Sequence, residues 1–214
     1  MTTSKLYNRF FDHLAQKRID IDSDVLKGAL VLAGYTPDLD AHDYFNDITN
    51  EVLTTATTLS ASAAVGATTI SAVASIPVGT PILIGGTDLR TVTAVAGAGP
   101  YTLTVAALST AQASGASVVA NPGYTAGGAA LTGVTWTYDA GTDTWTLDAN
   151  DLVWDPATIA NARGLVLYDD TPATAATKPL IAWIDFEGPI SSTAAPFKCT
   201  WHASGILQFK TATA

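Results

Sequence analysis

The residues able to do chemistry are few and scattered. Asp20-Ile-Asp-Ser-Asp24 opens like a calcium-binding loop. An EF-hand loop needs Gly at its sixth position to turn the chain and Glu at its twelfth to grip the ion with two oxygens. Val25 and Val31 stand there instead, so the stretch reads as a solvated turn ahead of a strand. Asp38, Asp40, Asp43 and Asp47 gather around His42. Hard cations take such oxygens, but a solvent-facing loop that caps the following helix is the simpler reading. His13, His42 and His202 share no metal-ligand spacing. No metal and no cofactor is expected.

Nucleophilic chemistry has no more support. No Gly-x-Ser-x-Gly elbow occurs to expose a serine. Gly85-Gly86 and Gly97-Ala-Gly99 lack the Gly-Lys-Ser/Thr that completes a phosphate loop, and they read as turn glycines. Asp185 and Glu187 have no second acid fixed across a cleft, which glycoside hydrolysis requires. His13 falls in the first helix, at a partly exposed position, and His202 with Ser204 falls in a turn. Cys199, the only cysteine, lies inside a strand pattern and reads as core. The chain is therefore expected not to be an enzyme.

Aromatic residues are the remaining chemical signal. Trp136, Trp145, Trp154, Trp183 and Trp201 all fall within 123–214. Aromatics on a β surface can stack on sugars or bases, but they also anchor cores and subunit interfaces. Anchoring is the expectation. Trp136 and Trp145 lie near one hairpin and are expected to be cross-strand neighbours.

The elements that must position these residues divide the chain into three. Residues 1–53 carry nine of the 19 acids and five of the ten basic residues. Ser4 is a plausible N-cap, and Leu6, Phe10 and Leu14 recur at helical spacing with Phe11 beside them. That predicts a helix ending at Lys17-Arg18, and its face is the candidate interface: Leu6, Phe10, Phe11 and Leu14. Val25–Ala33 reads as a strand buried on both faces. Tyr35–Asp40 is a loop signal, and 41–52 a short helix.

Residues 54–122 hold one acid, Asp88, and one base, Arg90. Thr68–Val73, Pro81–Ile84, Leu89–Val95 and Tyr101–Val105 read as strands, with a hairpin loop at Gly97–Pro100. This predicts an inserted module of four or five short strands. In 123–214, Val134, Trp136 and Tyr138 alternate with threonines, Ala140–Asp143 turns, and Trp145 and Leu147 alternate on the return. Leu165–Tyr168 and Leu180–Phe186 read as two more strands of a meander. Phe197–Trp201 and Ile206–Phe209 read as a closing hairpin. The fold class is mainly β (α+β): an antiparallel β-sandwich-like domain from 1–53 and 123–214 with a short N-terminal helix, and a small β-barrel-like module at 54–122.

Composition excludes several function classes. The 214 residues carry a net charge of −9 and only 14 % charged side chains, against a usual ~25 %. Nucleic acid is not an expected partner, because binding it needs Lys and Arg to neutralise phosphates. An anionic membrane surface is disfavoured for the same reason. No run of about 18 apolar residues occurs. Met1–Phe11 has Lys5 and Arg9 but no apolar stretch of the kind a secretory leader carries.

Two sets of blocks carry a resemblance. The first is Lys5-Leu-Tyr-Asn-Arg-Phe, Ile19-Asp-Ile-Asp, Leu26-Lys-Gly-Ala-Leu-Val-Leu and Tyr35-Thr-Pro-Asp-Leu-Asp-Ala-His-Asp-Tyr-Phe-Asn-Asp-Ile. The second is Gly123-Tyr-Thr-Ala-Gly-Gly-Ala-Ala-Leu, Leu147-Asp-Ala-Asn-Asp-Leu-Val-Trp, Ala162-Arg-Gly-Leu-Val-Leu-Tyr-Asp-Asp, Pro179-Leu-Ile-Ala-Trp-Ile-Asp-Phe and Ser204-Gly-Ile-Leu. In order and spacing they resemble a family of small tailed-phage structural proteins found near capsid genes. Residues 54–122 interrupt that pattern and resemble small β-modules that recur in phage structural proteins, through Ala67–Ser75, Val78–Gly86 and Arg90–Val95. The resemblance implies a capsid-decorating head protein on the outer surface of the virion. It implies the major capsid protein as partner and a symmetric homo-oligomer, such as a trimer. A tail or fibre component that binds host-surface glycans is the alternative.

Overall fold

A computed structural model describes residues 3–210. In chain order the elements are β1 (Thr3–Leu6), α1 (Phe10–Ala15), β2 (Leu26–Leu32), β3 (Ala56–Thr58), β4 (Thr69–Ala72), β5 (Pro81–Ile84), β6 (Asp88–Thr91) and β7 (Ala94–Ala96). There follow β8 (Tyr101–Thr104), β9 (Ser117–Ala120), β10 (Ala129–Ala130), β11 (Thr135–Asp139), β12 (Thr144–Asp148), β13 (Leu152–Asp169), β14 (Leu180–Cys199) and β15 (Leu207–Lys210). The fold is mainly β, all pairings are antiparallel, and α1 is short.

The central sheet has the order β1-β14-β13-β2-β10. Side chains alternate across a strand, so a strand apolar at successive positions needs a cover on each face. β2 is such a strand. Leu26 and Leu30 face the main core with Leu165, Leu167, Ile181 and Ile184. Ala29 and Val31 face a second core with Tyr7, Tyr35, Val166, Tyr168 and Trp183, covered by the loop carrying Leu39, Phe45 and Ile48. A second sheet, β11-β12-β15, closes the main core through Leu147 and Leu207. Gly164 is required by packing: the Trp183 indole lies over it, and a Cβ there would sit 1.9 Å from the ring.

Residues 56–120 enclose a core of their own, built from Leu59, Ile70, Ile82, Ile84, Leu103 and Val118 among others. Seven strands make two sheets, β3-β9-β5-β6 and β4-β8-β7. The run expected as one strand at Leu89–Val95 leaves the first sheet after β6 and joins the second as β7, with Val92 N–H donating to Thr80 O and Thr93 N–H to Thr104 O. Asp88 is the polar centre of this unit. Its carboxylate accepts the Ser109 and Thr110 amides (2.9 and 3.0 Å), the Thr110 hydroxyl, the Gln112 amide (3.0 Å) and the Arg90 guanidinium (2.6 Å). Where the two units meet, Asn121 donates to Leu53 O at 2.9 Å and accepts Ala160 N–H at 3.2 Å.

Several sequence expectations are corrected. The N-terminal helix does not start at Ser4. Ser4 and Leu6 lie in β1, opposite Ile184 and Ala182 of β14, and the helix is only Phe10–Ala15. A six-residue helix is weak by itself, and the sheet edge offers the preceding residues a full ladder. Residues 41–52 hold one 3-10 turn, Phe45–Asp47, and then an extended stretch whose 50 and 52 positions bond Leu32 and Leu30 of β2. Asp47 accepts the Asp43 and Tyr44 amides (2.8 and 3.0 Å), the local bonding that draws Asp out of helices. The strands at Leu165–Tyr168 and Leu180–Phe186 are ends of strands 18 and 20 residues long. Pro156, Pro189 and Pro196 fall inside these strands, and four register shifts between Trp154 and Gly164 absorb the irregularity in β13. There is no closing hairpin, because Phe197–Cys199 pairs with β13 while β15 pairs with β12.

Candidate interaction surface

The sheet β11-β12-β15 gathers aromatics on one face. Its register sets Trp136 opposite Leu147, Tyr138 opposite Trp145 and Trp145 opposite Phe209. Leu147 and Leu207 anchor one end of that face in the main core, and the rings continue beyond it. Trp136 and Trp145 are diagonal cross-strand neighbours, stacked at 5.6 Å with 17° between planes. Tyr138 follows at 5.1 Å from Trp145, and Phe209 lies 5.5 Å from Trp136. Phe11 of α1 meets Phe209 edge-on at 5.4 Å. The result is a continuous stripe, Phe11–Phe209–Trp136–Trp145–Tyr138, with spacings in the favourable range for ring pairs. Its ends are open: Phe11 is 54 % exposed and Tyr138 46 %.

A groove of about 630 Å³ runs beside the stripe, lined by Trp136, Leu14, Lys17, Ile19, Ile21, Asp20 and Asp22. The groove thus brings one aromatic residue together with two acids and one base.

The four candidate interface residues separate on the structure. Leu6 lies in β1 and packs on the main core. Phe10 is fully buried, stacked on Phe209 at 5.9 Å. Phe11 is exposed at the head of the stripe, and Leu14 is half-buried in the groove. Leu6 has left the helix, while Phe10, Phe11 and Leu14 all meet the aromatic surface. Phe209 was the missing member. Apolar residues alternate with polar ones in all three strands, and the β12–β15 pairing sets Phe209 opposite Trp145 on the face that Trp136 shares.

The β13–β14 ribbon is a second exposed feature. Among the described residues, β1 pairs with β14 only as far as Asp185, so the outer edge beyond it has no partner strand. Pro189 and Pro196 interrupt that edge, and Glu187 and Ala194 take left-handed backbone angles of 61° and 46°. Prolines and bulges are the usual protection of an edge against stray strand addition. A cleft of about 420 Å³ separates the ribbon from the Asp88 unit, lined by Arg90 and by hydroxyls of Thr91, Thr158, Ser191 and Ser192.

Several titratable groups make bonds within the fold. His13 is not partly exposed: it is fully buried, with Nε2 2.6 Å from Asp43 Oδ1. His42 Nδ1 lies 2.9 Å from the Tyr35 hydroxyl, which in turn bonds Tyr7 at 2.6 Å. Cys199 is buried, and burial pushes its thiol up to about 12, the reverse of a reactive cysteine. Asp185 is ion-paired to Arg163. Among the described residues no three acid, histidine or cysteine side chains converge as metal ligands, and no helix is long and apolar enough to cross a membrane. No family model, no curated protein and no solved structure matches the chain.

Proposed function

We propose that this chain is a non-enzymatic structural protein of a tailed-phage particle, decorating the outside of the capsid and tying neighbouring capsomers together. The aromatic stripe carries the reading. Rigid rings held on paired strands, and open at both ends, are the kind of anchor that partner surfaces bury. An apolar stripe on an otherwise polar sheet also marks a contact site. The acidic surface suits a protein kept away from the genome. The resemblance of 1–53 and 123–214 to tailed-phage head proteins supports the same role, with the major capsid protein as partner and a symmetric homo-oligomer as the bound form. Purified protein mixed separately with undecorated heads and with isolated tails tests it by co-sedimentation. Saturable binding to heads, lost in Phe11→Ser and Trp136→Ala, is expected. Binding only to tails overturns it.

One observation favours a second reading, binding of host-surface glycans by a tail or fibre component. Trp136, Asp20 and Asp22 line the same groove. A ring can stack on the apolar face of a sugar while carboxylates accept its hydroxyl groups. A glycan screen read by quenching of tryptophan emission separates the two: a saturable hit abolished in Trp136→Ala supports recognition, and an empty screen removes it.

A further inference from the structure

Asp24 and Asp169 meet where the turn before β2 runs beside the end of β13. Three backbone links hold these segments together. Val25 N–H donates to the Thr171 hydroxyl at 2.8 Å, Asp170 N–H donates to Val25 O at 2.8 Å, and Leu26 pairs with Asp169 in the ladder. Asp169 is fully buried, and its Oδ1 accepts the Thr171 amide at 2.8 Å. Among the described residues no N–H or hydroxyl donates to its buried Oδ2, and the group within bonding reach is the Asp24 carboxyl. Asp24 is half-buried, and its own Oδ2 accepts Asp20 N–H at 2.6 Å.

Two ionised carboxylates only accept, so they repel instead of bonding. One proton between them turns the repulsion into a hydrogen bond and gives the orphan oxygen its partner. The charged groups around the pair offer no other remedy. Lys27 of β2 and Lys178, just before β14, both close on Asp170 at 2.5 Å. Asp20 and Asp22 are exposed on the turn and add negative charge. Tyr168 lies on the opposite face of β13, with its hydroxyl on Gly127 O at 2.7 Å. Burial pushes the Asp169 carboxyl up, the Asp24 charge adds to the rise, and the Thr171 bonds oppose it.

We propose that folded Asp169 keeps a proton and donates it from Oδ2 to the Asp24 carboxylate, making a pH-sensitive latch between the turn before β2 and the end of β13. The latch is closed in acid and opens as the proton leaves. A carboxyl raised on folding contributes stability that is full below its unfolded value near ~4 and is lost as pH rises through the raised value. Above that, two like charges face each other at a buried contact, and the turn loosens. Asp20 and Asp22 of the same turn line the groove beside the aromatic stripe, so the latch sets how firmly one groove wall is held. The latch belongs to the fold and holds whether or not the chain sits on a capsid.

Thermal melting of the native protein and of Asp24→Asn, followed by tryptophan emission from pH 4 to 8 at one ionic strength, tests the latch. The Asn amide can donate to Asp169 at any pH, so the variant is fixed closed. The other titrating groups are common to both proteins and cancel in the comparison. The two midpoints should lie close together at pH 4, and the native one should fall about 2–4 °C behind by pH 8. Asp22→Asn removes the same charge from the same turn and should open no such gap. In a carbon-13 NMR titration the Asp169 carboxyl of the native protein should titrate above the ordinary carboxylate range, and in Asp24→Asn it should titrate lower. The native titration keeps the test available should the variant fold poorly. A gap that does not grow with pH, an equal gap in Asp22→Asn, or an Asp169 carboxyl titrating in the ordinary range overturns the proposal.

Discussion

The two cores of this chain are held by opposite means. The 56–120 unit has an aliphatic core without a buried aromatic and ties its loops through one ionised side chain, Asp88. The body formed by the flanking segments buries Phe10, Tyr124, Trp154, Trp183 and Phe197, and one of its hydrogen-bonded acids, Glu51, serves neutral partners: the Tyr124 hydroxyl at 2.8 Å and the Gly127 amide at 2.6 Å. Large rings bury 150–250 Å² each, so few residues fill a core. A core of small side chains lacks that area and leans on a polar knot. All five tryptophans lie outside 54–122, so their emission reports the body alone.

The largest expected effect comes from breaking the knot. Asp88→Ala removes the carboxylate and strands the Ser109, Thr110, Gln112 and Arg90 donors, at about 3–5 kcal/mol. Protease sites within 54–122 should open, and part of the circular-dichroism signal should melt early while the tryptophan transition stays in place. Coincident melting by both probes would show one cooperative unit instead of two.

A smaller loss, about 1–3 kcal/mol, is expected from Gly164→Ala, whose added methyl must displace the Trp183 ring. Here the tryptophan transition should fall and the 54–122 signal should hold.

Acid should act on the two acids with opposite sign. Bonds from the Thr110 hydroxyl, the Ser109 and Thr110 amides and Gln112 hold Asp88 far below the usual carboxylate range. Its contribution is present above the unfolded value near ~4 and is lost as pH falls through the lowered value. Burial instead raises Glu51, although Tyr124 and Gly127 oppose it. In the window between the unfolded and the raised value, the folded body holds the extra proton. Stability from Glu51 therefore falls as pH rises through that window. Melting from pH 3 to 7 should show a steeper acid loss for the Asp88 unit. The slope should flatten there in Asp88→Asn, and the Glu51 contribution should vanish in Glu51→Gln.

The smallest stability effect is predicted for Phe11→Ser, within about 0.5 kcal/mol, because the side chain is already more than half exposed. A large loss of particle or glycan binding with so small a change in melting would mark the stripe as a contact surface. A large drop in melting would assign Phe11 to the core.

Much of the strand content was legible because alternation and apolar runs are local signals. Val25–Ala33 announces a two-faced strand, and Trp136, Tyr138, Trp145 and Leu147 announce a hairpin. The long ribbon was hidden because Pro156, Pro189 and Pro196 look like breaks, while bulges let one strand run through them. The helix expected through Leu6 failed because an edge of β14 offered that residue a better partner than its own neighbours did. For the candidate surface, Phe11 and Leu14 were visible as apolar helix positions, but Phe209 was legible only as a strand residue.

What the sequence determined by itself is the chemistry the chain can bring. It supplies a charge-poor stretch with one acid and one base, tryptophans confined to 123–214, and an excess of carboxylates over basic side chains. Composition and short-range periodicity carry these facts directly. Tertiary structure alone decided which distant residues meet: Phe209 with Trp136, Trp183 over Gly164, Asp24 beside Asp169. Such meetings depend on strand register and sheet order, and a shift of one residue would send every side chain to the other face.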